Sequence, residues 1–306
     1  AFNGRKIIFR YKMSNYQAKH RKILGFVKCL RFMLETIRKN KYDRIILLTT
    51  QTVFPLYMLS RTVRKTPFIF DYRDITYEGN GLCKKIIRKI IEKSEFTAIS
   101  SQGFKSILGD SSKFVVSHNT SNLKNEWSKK QTASNIRLVY WGMIRQLEFN
   151  KKICDAFGNA LGFELVYHGE GKDSDLKEYC NQKGYSNVKF TGRYTVDQIP
   201  LFVSKTDILM NLYENDEQQK LAVTVKLYDG IRFGLPMLVS KNSYMEDIMK
   251  DNAHVFAMDI DSTDISEVEE WYKTLDKDKY PYDGELEKIN LDEECFKLKL
   301  LDFARR

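Results

Sequence analysis

The seventeen residues Thr224 to Ser240, TVKLYDGIRFGLPMLVS, limit the possible folds more than any other stretch. They read as a helix from about Lys226 to Phe233, a stop at Gly234 and a strand from Met237 to Ser240. Gly takes the left-handed conformation that closes a helix at its C-terminus. Pro236 cannot continue a helix. The apolar run Met237-Leu238-Val239 suits a parallel strand covered on both faces. A helix N-terminus carries unpaired N–H groups and a partial positive charge, which favours a phosphate there. Lys226 adds a full charge, and Asp229, one turn on, is an acceptor able to hold a vicinal diol.

The same alternation runs along the whole chain. Before the linker, strands are expected at Lys6–Phe9, Arg44–Thr49, Pro67–Phe70, Phe96–Ser100 and Lys113–Val116. Helices are expected at Tyr16–Asn40, Pro55–Arg64 and Leu82–Lys93. The first has Ile23, Phe26, Val27, Leu30, Met33, Leu34 and Ile37 at helical spacing. A polar stretch from His118 to Ser134 reads as a linker. After it, strands are expected at Arg137–Trp141, Phe163–Tyr167, Val188–Phe190 and Asp207–Asn211. Helices at Lys151–Leu161, Ser174–Lys183 and Val196–Ser204 separate them, and a last helix spans Leu291–Arg306. Strands alternating with helices mean parallel α/β sheets, and 306 residues suffice for two domains.

Charge is divided unevenly. Residues 1–130 hold 27 Lys and Arg against 9 Asp and Glu, a net +18; the rest hold 23 against 31, a net −8. Such asymmetry points the first half at a polyanion. The helix Leu82–Lys93 is expected to turn Ile86, Ile87, Ile90 and Ile91 inward and Lys84, Lys85, Arg88, Lys89 and Lys93 outward. No run of about 18 apolar residues exists, so no spanning segment is expected. Five scattered cysteines, without C-x-x-C or a His cluster, suit a reducing cytoplasm and not a structural zinc. Three D-x-D triplets, at Asp173, Asp259 and Asp276, read as surface. No basic motif with interleaved aromatics points to nucleic acid.

Lys226, Asp229, Gly234, Pro236 and Ser240 together resemble the K-x-x-E-x-x-x-x-G-x-P-x-x-x-S segment of the retaining "group 1" (family 4-like) glycosyltransferases of the GT-B fold. Further pieces follow in the family's order: Tyr140-Trp-Gly142 with Arg145, Gly169-Glu-Gly171, Asn187-Val-Lys-Phe-Thr-Gly192 and Thr206-Asp207-Ile208. The first half resembles the family more loosely, through Lys41–Ile45, Pro67–Asp74, Ser101–Leu108 and Val115–Asn119. The resemblance implies two Rossmann-like domains with parallel sheets facing across a cleft. These would be an acceptor-side domain over 1–125, a nucleotide-sugar domain over 126–288, and a C-terminal helix over 289–306 that crosses back to the first domain. It implies a sugar transferred from a nucleotide-sugar to a glycan or lipid-diphosphate-linked acceptor in surface-polysaccharide synthesis. Retention at the anomeric carbon and independence of any metal or other cofactor come with it.

By the same resemblance Arg145 is an expected catalytic residue; Asp74, which follows a strand end where open parallel sheets place ligand groups, is expected in acceptor or catalytic duty, with a helix cap as the alternative. Gly142, Lys151, Gly169, Gly171, Arg193, Thr224, Lys226 and Asp229 are expected to bind the donor. There are departures. The family often pairs two Glu seven residues apart; Asp229 stands for the second and Leu221 for the first. The family's Gly-rich loop after its first strand has no counterpart, and the chain is expected to start downstream of it. With its basic first half, the protein is expected in the cytoplasm, peripheral on an anionic membrane face. A nucleotide-sugar 2-epimerase of the same fold, and a non-catalytic binder of anionic membrane or nucleic acid, remain as alternative readings.

Overall fold

A computed structural model describes residues 7–11, 19–120, 122–128 and 133–306. The chain divides into two compact units. One takes in residues up to 99, 105–115 and 298–306; the other takes in 100–104 and 116–297.

The first unit is built on a four-stranded sheet in the order β1-β2-β3-β4, with β1 Ile45–Leu48, β2 Phe68–Tyr72, β3 Thr97–Ile99 and β4 Phe114–Val116. β1 pairs parallel with β2, and β2 with β3. The strand expected over Lys6–Phe9 does not form in its described part, and Lys6 lies outside the described residues. Phe9 instead packs on the Phe32 ring, with centroids 5.4 Å apart. The helix expected at Pro55–Arg64 is two helices, Thr50–Leu59 and Arg61–Lys65. Ser60 divides them because its hydroxyl accepts from the Val63 N–H and starts the second. The first long helix is described over Lys19–Asn40; Tyr16 to Ala18 lie outside the described residues. Its apolar stripe is not all core. Ile37 is buried, but Ile23, Phe26 and Val27 are 58%, 43% and 51% exposed. In the helix Gly81–Lys93, Ile87, Ile90 and Ile91 are buried as their spacing requires.

The second unit holds a six-stranded sheet: β5 Ile136–Trp141, β6 Phe163–His168, β7 Val188–Gly192, β8 Ile208–Asn211, β9 Met237–Ser240 and β10 Val255–Met258. The order is β10-β9-β8-β5-β6-β7, and every pairing is parallel. Because side chains alternate along a strand, β5 feeds two cores. Leu138 and Tyr140 pack with Ile153, Phe157 and Leu176 on one face. Val139 and Trp141 pack with Leu227, Tyr228 and Ile231 on the other. Residues from Lys241 to Asn290 carry no expected element, yet they form the helices Tyr244–Met249 and Ile265–Thr274 and the edge strand β10. A short helix, Glu217–Leu221, is also additional. The last helix runs Asp283–Arg305 and so begins eight residues before Leu291.

Candidate functional site

In a sheet of this order the chain leaves β5 in one direction and β8 in the other, and the gap between their C-terminal ends is where open α/β sheets bind ligands. The loops at that edge are joined through the backbone. Gly142 N–H donates to His168 O at 3.0 Å, Ile144 N–H to Glu170 O at 3.0 Å, and Gly169 N–H to Gly192 O at 2.8 Å. A Cβ on Gly169 (φ 142°) would run into the Gly142 carbonyl oxygen, so only glycine allows this close approach. Gly171 continues the seam by bridging to Ile144. Three expected donor-side glycines therefore lie on one rim.

Helix Val225–Phe233 enters this edge. Its first residues form a helix start, but Thr224 at the N-cap does not cap it with its side chain. The Thr224 hydroxyl donates to Asn211 Oδ1 at 2.7 Å, which leaves the first-turn amides without a side-chain acceptor among the described residues. Lys226 is not the solvated charge that its position at a helix start suggests. It is 7% exposed, and its Nζ donates to Trp141 O at 3.2 Å. The same Nζ stands 4.2 Å from the Tyr140 ring centre and 5.0 Å from that of Tyr213. A Cβ on Gly142 (φ 138°) would come within 3.2 Å of it. Burial pulls the Lys226 pKa down. Asp229, one turn on, accepts the Trp141 indole N–H at Oδ2 at 2.8 Å. Burial pushes its pKa up, and the Trp141 hydrogen bond and the Lys226 charge work the other way. No carboxylate forms an ion pair with Lys226 among the described residues, and no cation does so with Asp229. Two part-desolvated charges are thus held by neutral dipoles.

Arg145 is exposed on the same loop as Gly142, with Nε 3.3 Å from the Met143 sulfur. It is near enough that its charge contributes to the lowered Lys226 pKa. Arg193 follows Gly192 and pairs loosely with Glu170 at 3.8 Å, both exposed. Lys151 lies on the helix that follows this loop. The helix starts at Leu147 and not at Lys151, so this residue sits in its second turn. There its Nζ pairs with Glu148 at 2.9 Å and lies 5.1 Å from the Tyr179 ring. Asp74 belongs to the first unit, exposed two residues beyond β2; Asn80, not Asp74, caps the following helix. Sequence reasoning missed Trp141, Tyr140, Tyr213 and Tyr194 as site residues. Tyr194 follows β7 and feels the charge of Asp229. Aromatic residues at strand ends read as core, and only the pairing of β5 with β8 brings Tyr140, Trp141 and Tyr213 around Lys226. Among the described residues, no three His, Cys, Asp or Glu side chains gather to hold a metal ion.

His168 ends β6 behind the rim. It is buried, stacks on Phe202 with centroids 3.6 Å apart, and shares a 2.7 Å hydrogen bond with Thr191 Oγ1. Burial pulls its pKa down to about 4. An unfolded chain takes up that proton near the ordinary value of about 6.5. Between those values the unfolded state holds more protons, so stability falls as pH drops through this window. The expected loss is about 2 kcal/mol. Urea unfolding at pH 7 and pH 4.5 should show it in the wild type and not in His168→Gln; equal losses in both proteins would assign it to other groups.

No protein-family model matches the chain, and no curated protein sequence matches it. Solved structures do. The lipopolysaccharide outer core galactosyltransferase WaaB superposes with a TM-score of 0.64 at 14% identity, covering 92% of this chain and 81% of that one. Sucrose-phosphate synthase from Thermosynechococcus elongatus gives 0.66 at 12% identity, over 95% and 81%. Anabaena HepE in complex with UDP and glucose gives 0.62 at 12% identity, over 94% and 84%. Identities this low speak for architecture. Taken with the two sheets and the crevice between β5 and β8, they establish that this chain has the GT-B fold of glycosyltransferases.

Proposed function

We propose that the protein is a glycosyltransferase whose second unit binds a nucleotide-sugar. The observation that carries this reading is the pair of desolvated charges, Lys226 and Asp229, one turn apart at an uncapped helix start. Lys226 needs an anion and Asp229 needs donors; a diphosphate and a ribose diol supply one each. Arg145 extends the positive charge to the exposed side. Charge on the leaving diphosphate grows in the transition state, and Arg145, Lys226 and the helix amides would stabilise it there without a metal. Gly142, Gly169 and Gly171 line the rim, Thr224 opens the helix start, and Arg193 stands beside Glu170. Lys151, in the second turn of the helix after the Gly142 loop, is paired with Glu148. Asp74 in the first unit is the proposed acceptor-side group, and transfer proceeds with retention.

HepE structures hold UDP and UDP-glucose, so uridine nucleotides are the first donors to test. Calorimetry with UDP, GDP and dTDP should show micromolar binding of one of them that survives EDTA. The matching nucleotide-sugar should then be turned over slowly to nucleotide and sugar. Binding of none of the three, with or without Mg²⁺, would remove the reading.

The acceptor in this proposal is a glycan or lipid-diphosphate-linked sugar met at an anionic membrane face during surface-polysaccharide assembly. No helix among the described residues is long and apolar enough to cross a membrane. The exposed Ile23, Phe26 and Val27 lie among Arg21, Lys28 and Arg31, a surface that suits anionic lipid. Lys85, Arg88 and Lys89 are exposed on the second basic helix, and the Arg88 guanidinium donates to the carbonyls of Leu108 and Ile107, at 2.8 and 3.3 Å. Each basic residue near such a surface contributes about 1 kcal/mol. Co-sedimentation with phosphatidylglycerol vesicles is expected at low salt and release at about 1 M salt, where the Debye length is about 3 Å. Replacing Ile23, Phe26 and Val27 by Ser should weaken it with nucleotide binding intact. Sedimentation equal to the parent's would end the membrane reading for this helix.

A further inference from the structure

We propose that Trp141 is a positioning residue of the donor site: its indole N–H sets the Asp229 carboxylate and its backbone carbonyl sets the Lys226 ammonium. This rests on the donor reading above and adds a residue that the pattern of charged groups does not reveal.

Trp141 is the last residue of β5 and is 2% exposed. Its indole lies in the core that includes Leu227, Tyr228 and Ile231, so the ring cannot swing away without opening that core. Tryptophan has a single side-chain donor, and when buried it needs an acceptor. Here the acceptor is Asp229 Oδ2, at 2.8 Å. Occupying Oδ2 fixes the carboxylate plane and leaves Oδ1 without a protein partner among the described residues. The peptide carbonyl of the same residue accepts from Lys226 Nζ at 3.2 Å. Tyr140, the preceding residue on the opposite face of β5, lays its ring under the same ammonium. Lys226 and Asp229 are three residues apart on a helix, so they share a face. One strand end therefore fixes the spacing between the group offered to the diphosphate and the group offered to the ribose.

A buried Trp with a satisfied N–H is also a common packing element, so the test must separate the two roles. Around Asp229 the charged and titratable groups are Lys226 and Arg232 on its own helix and Tyr194 from the loop after β7, and the neutral indole of Trp141 is its hydrogen-bond donor. Of these, the indole hydrogen bond favours the ionised carboxylate most. Without it the carboxylate takes up a proton at a higher pH, and a protonated Asp229 is a poorer acceptor for ribose.

The experiment titrates UDP, or whichever of GDP and dTDP the wild type binds, into wild type, Trp141→Phe, Asp229→Asn and the double variant, from pH 5 to 8.5. Trp141→Phe should raise Kd about tenfold at neutral pH, the scale of a hydrogen bond to a charged group. It should also move the acid limb of the affinity profile to higher pH. In the Asp229→Asn background the same change should have little effect, because the carboxylate it positions is gone. If Trp141→Phe does not fold, site-specific replacement by benzothienylalanine keeps the ring shape and removes only the N–H. An unchanged affinity and pH profile in the ring-replaced protein would overturn the positioning role and leave the donor site standing. An equal loss in the presence and absence of Asp229 would likewise show Trp141 to be packing only. If the wild type binds no nucleoside diphosphate, the donor reading fails and this role fails with it.

Discussion

Arg145→Ala is expected to lower kcat by about 10²–10³-fold, the effect of removing one preorganised donor from a developing anion. The fold should not suffer, because Arg145 is exposed and its Nε touches only the Met143 sulfur. The split between parameters carries the meaning. Charge on the leaving diphosphate is larger in the transition state than in the bound donor, so kcat should fall more than KM rises. Steady-state kinetics with a saturating acceptor would measure both. A variant with the parent's kcat and only a raised KM would make Arg145 a ground-state contact, and Lys226 with the helix amides would then carry the leaving group.

Asp229→Asn should weaken nucleotide binding by about 1.5–3 kcal/mol, the scale of hydrogen bonds to a charged acceptor. That corresponds to roughly a 10- to 150-fold higher Kd. The amide has only one acceptor oxygen. If that oxygen takes the Trp141 N–H, the ribose meets an NH₂ donor instead. Asp229→Ala tests something different. Its placement at a helix start suggests a solvated side chain whose removal is harmless, but the carboxylate is part-buried against Trp141. Truncation would leave a buried indole N–H without an acceptor, at about 1–3 kcal/mol of stability. Calorimetry and urea unfolding on both variants should therefore diverge: similar losses of affinity, with a loss of stability in the alanine variant alone. Parental nucleotide affinity in the Asn protein would place the ribose elsewhere.

Much of the second unit was legible in the chain because its signals are local. Gly234 stops the helix in the left-handed conformation at φ 62°, and Leu235-Pro236 delivers the chain into β9 at Met237, all within the seventeen-residue segment. The strands β5, β6 and β8 announce themselves as apolar runs ending in Gly or Asn. The stretch from Lys241 to Asn290 was silent for the opposite reason. β10, Val255–Met258, is an edge strand with three half-buried residues, and the helices around it are short or polar, so neither period stands out. The long first helix misled in another way: periodicity gives a stripe but not what covers it, and the covering stops at its C-terminal half.

Sequence by itself determined the fold class, the existence of the helix start at Lys226 and the glycine positions along the rim, since each follows from backbone conformation or hydrophobic period over a few residues. Tertiary structure decided which of the charged residues meet. Lys151 and Lys226 look alike as basic residues near a helix start. Register turns the first toward Glu148 and Tyr179, and the pairing of β5 with β8 closes Tyr140, Trp141 and Tyr213 around the second. The seat of a lysine's ammonium and the orientation of a carboxylate depend here on one neighbour, Trp141, 85 positions from Lys226 and 88 from Asp229 in the chain. No window of sequence contains both partners, and the desolvation that makes them a site exists only once the sheet has formed.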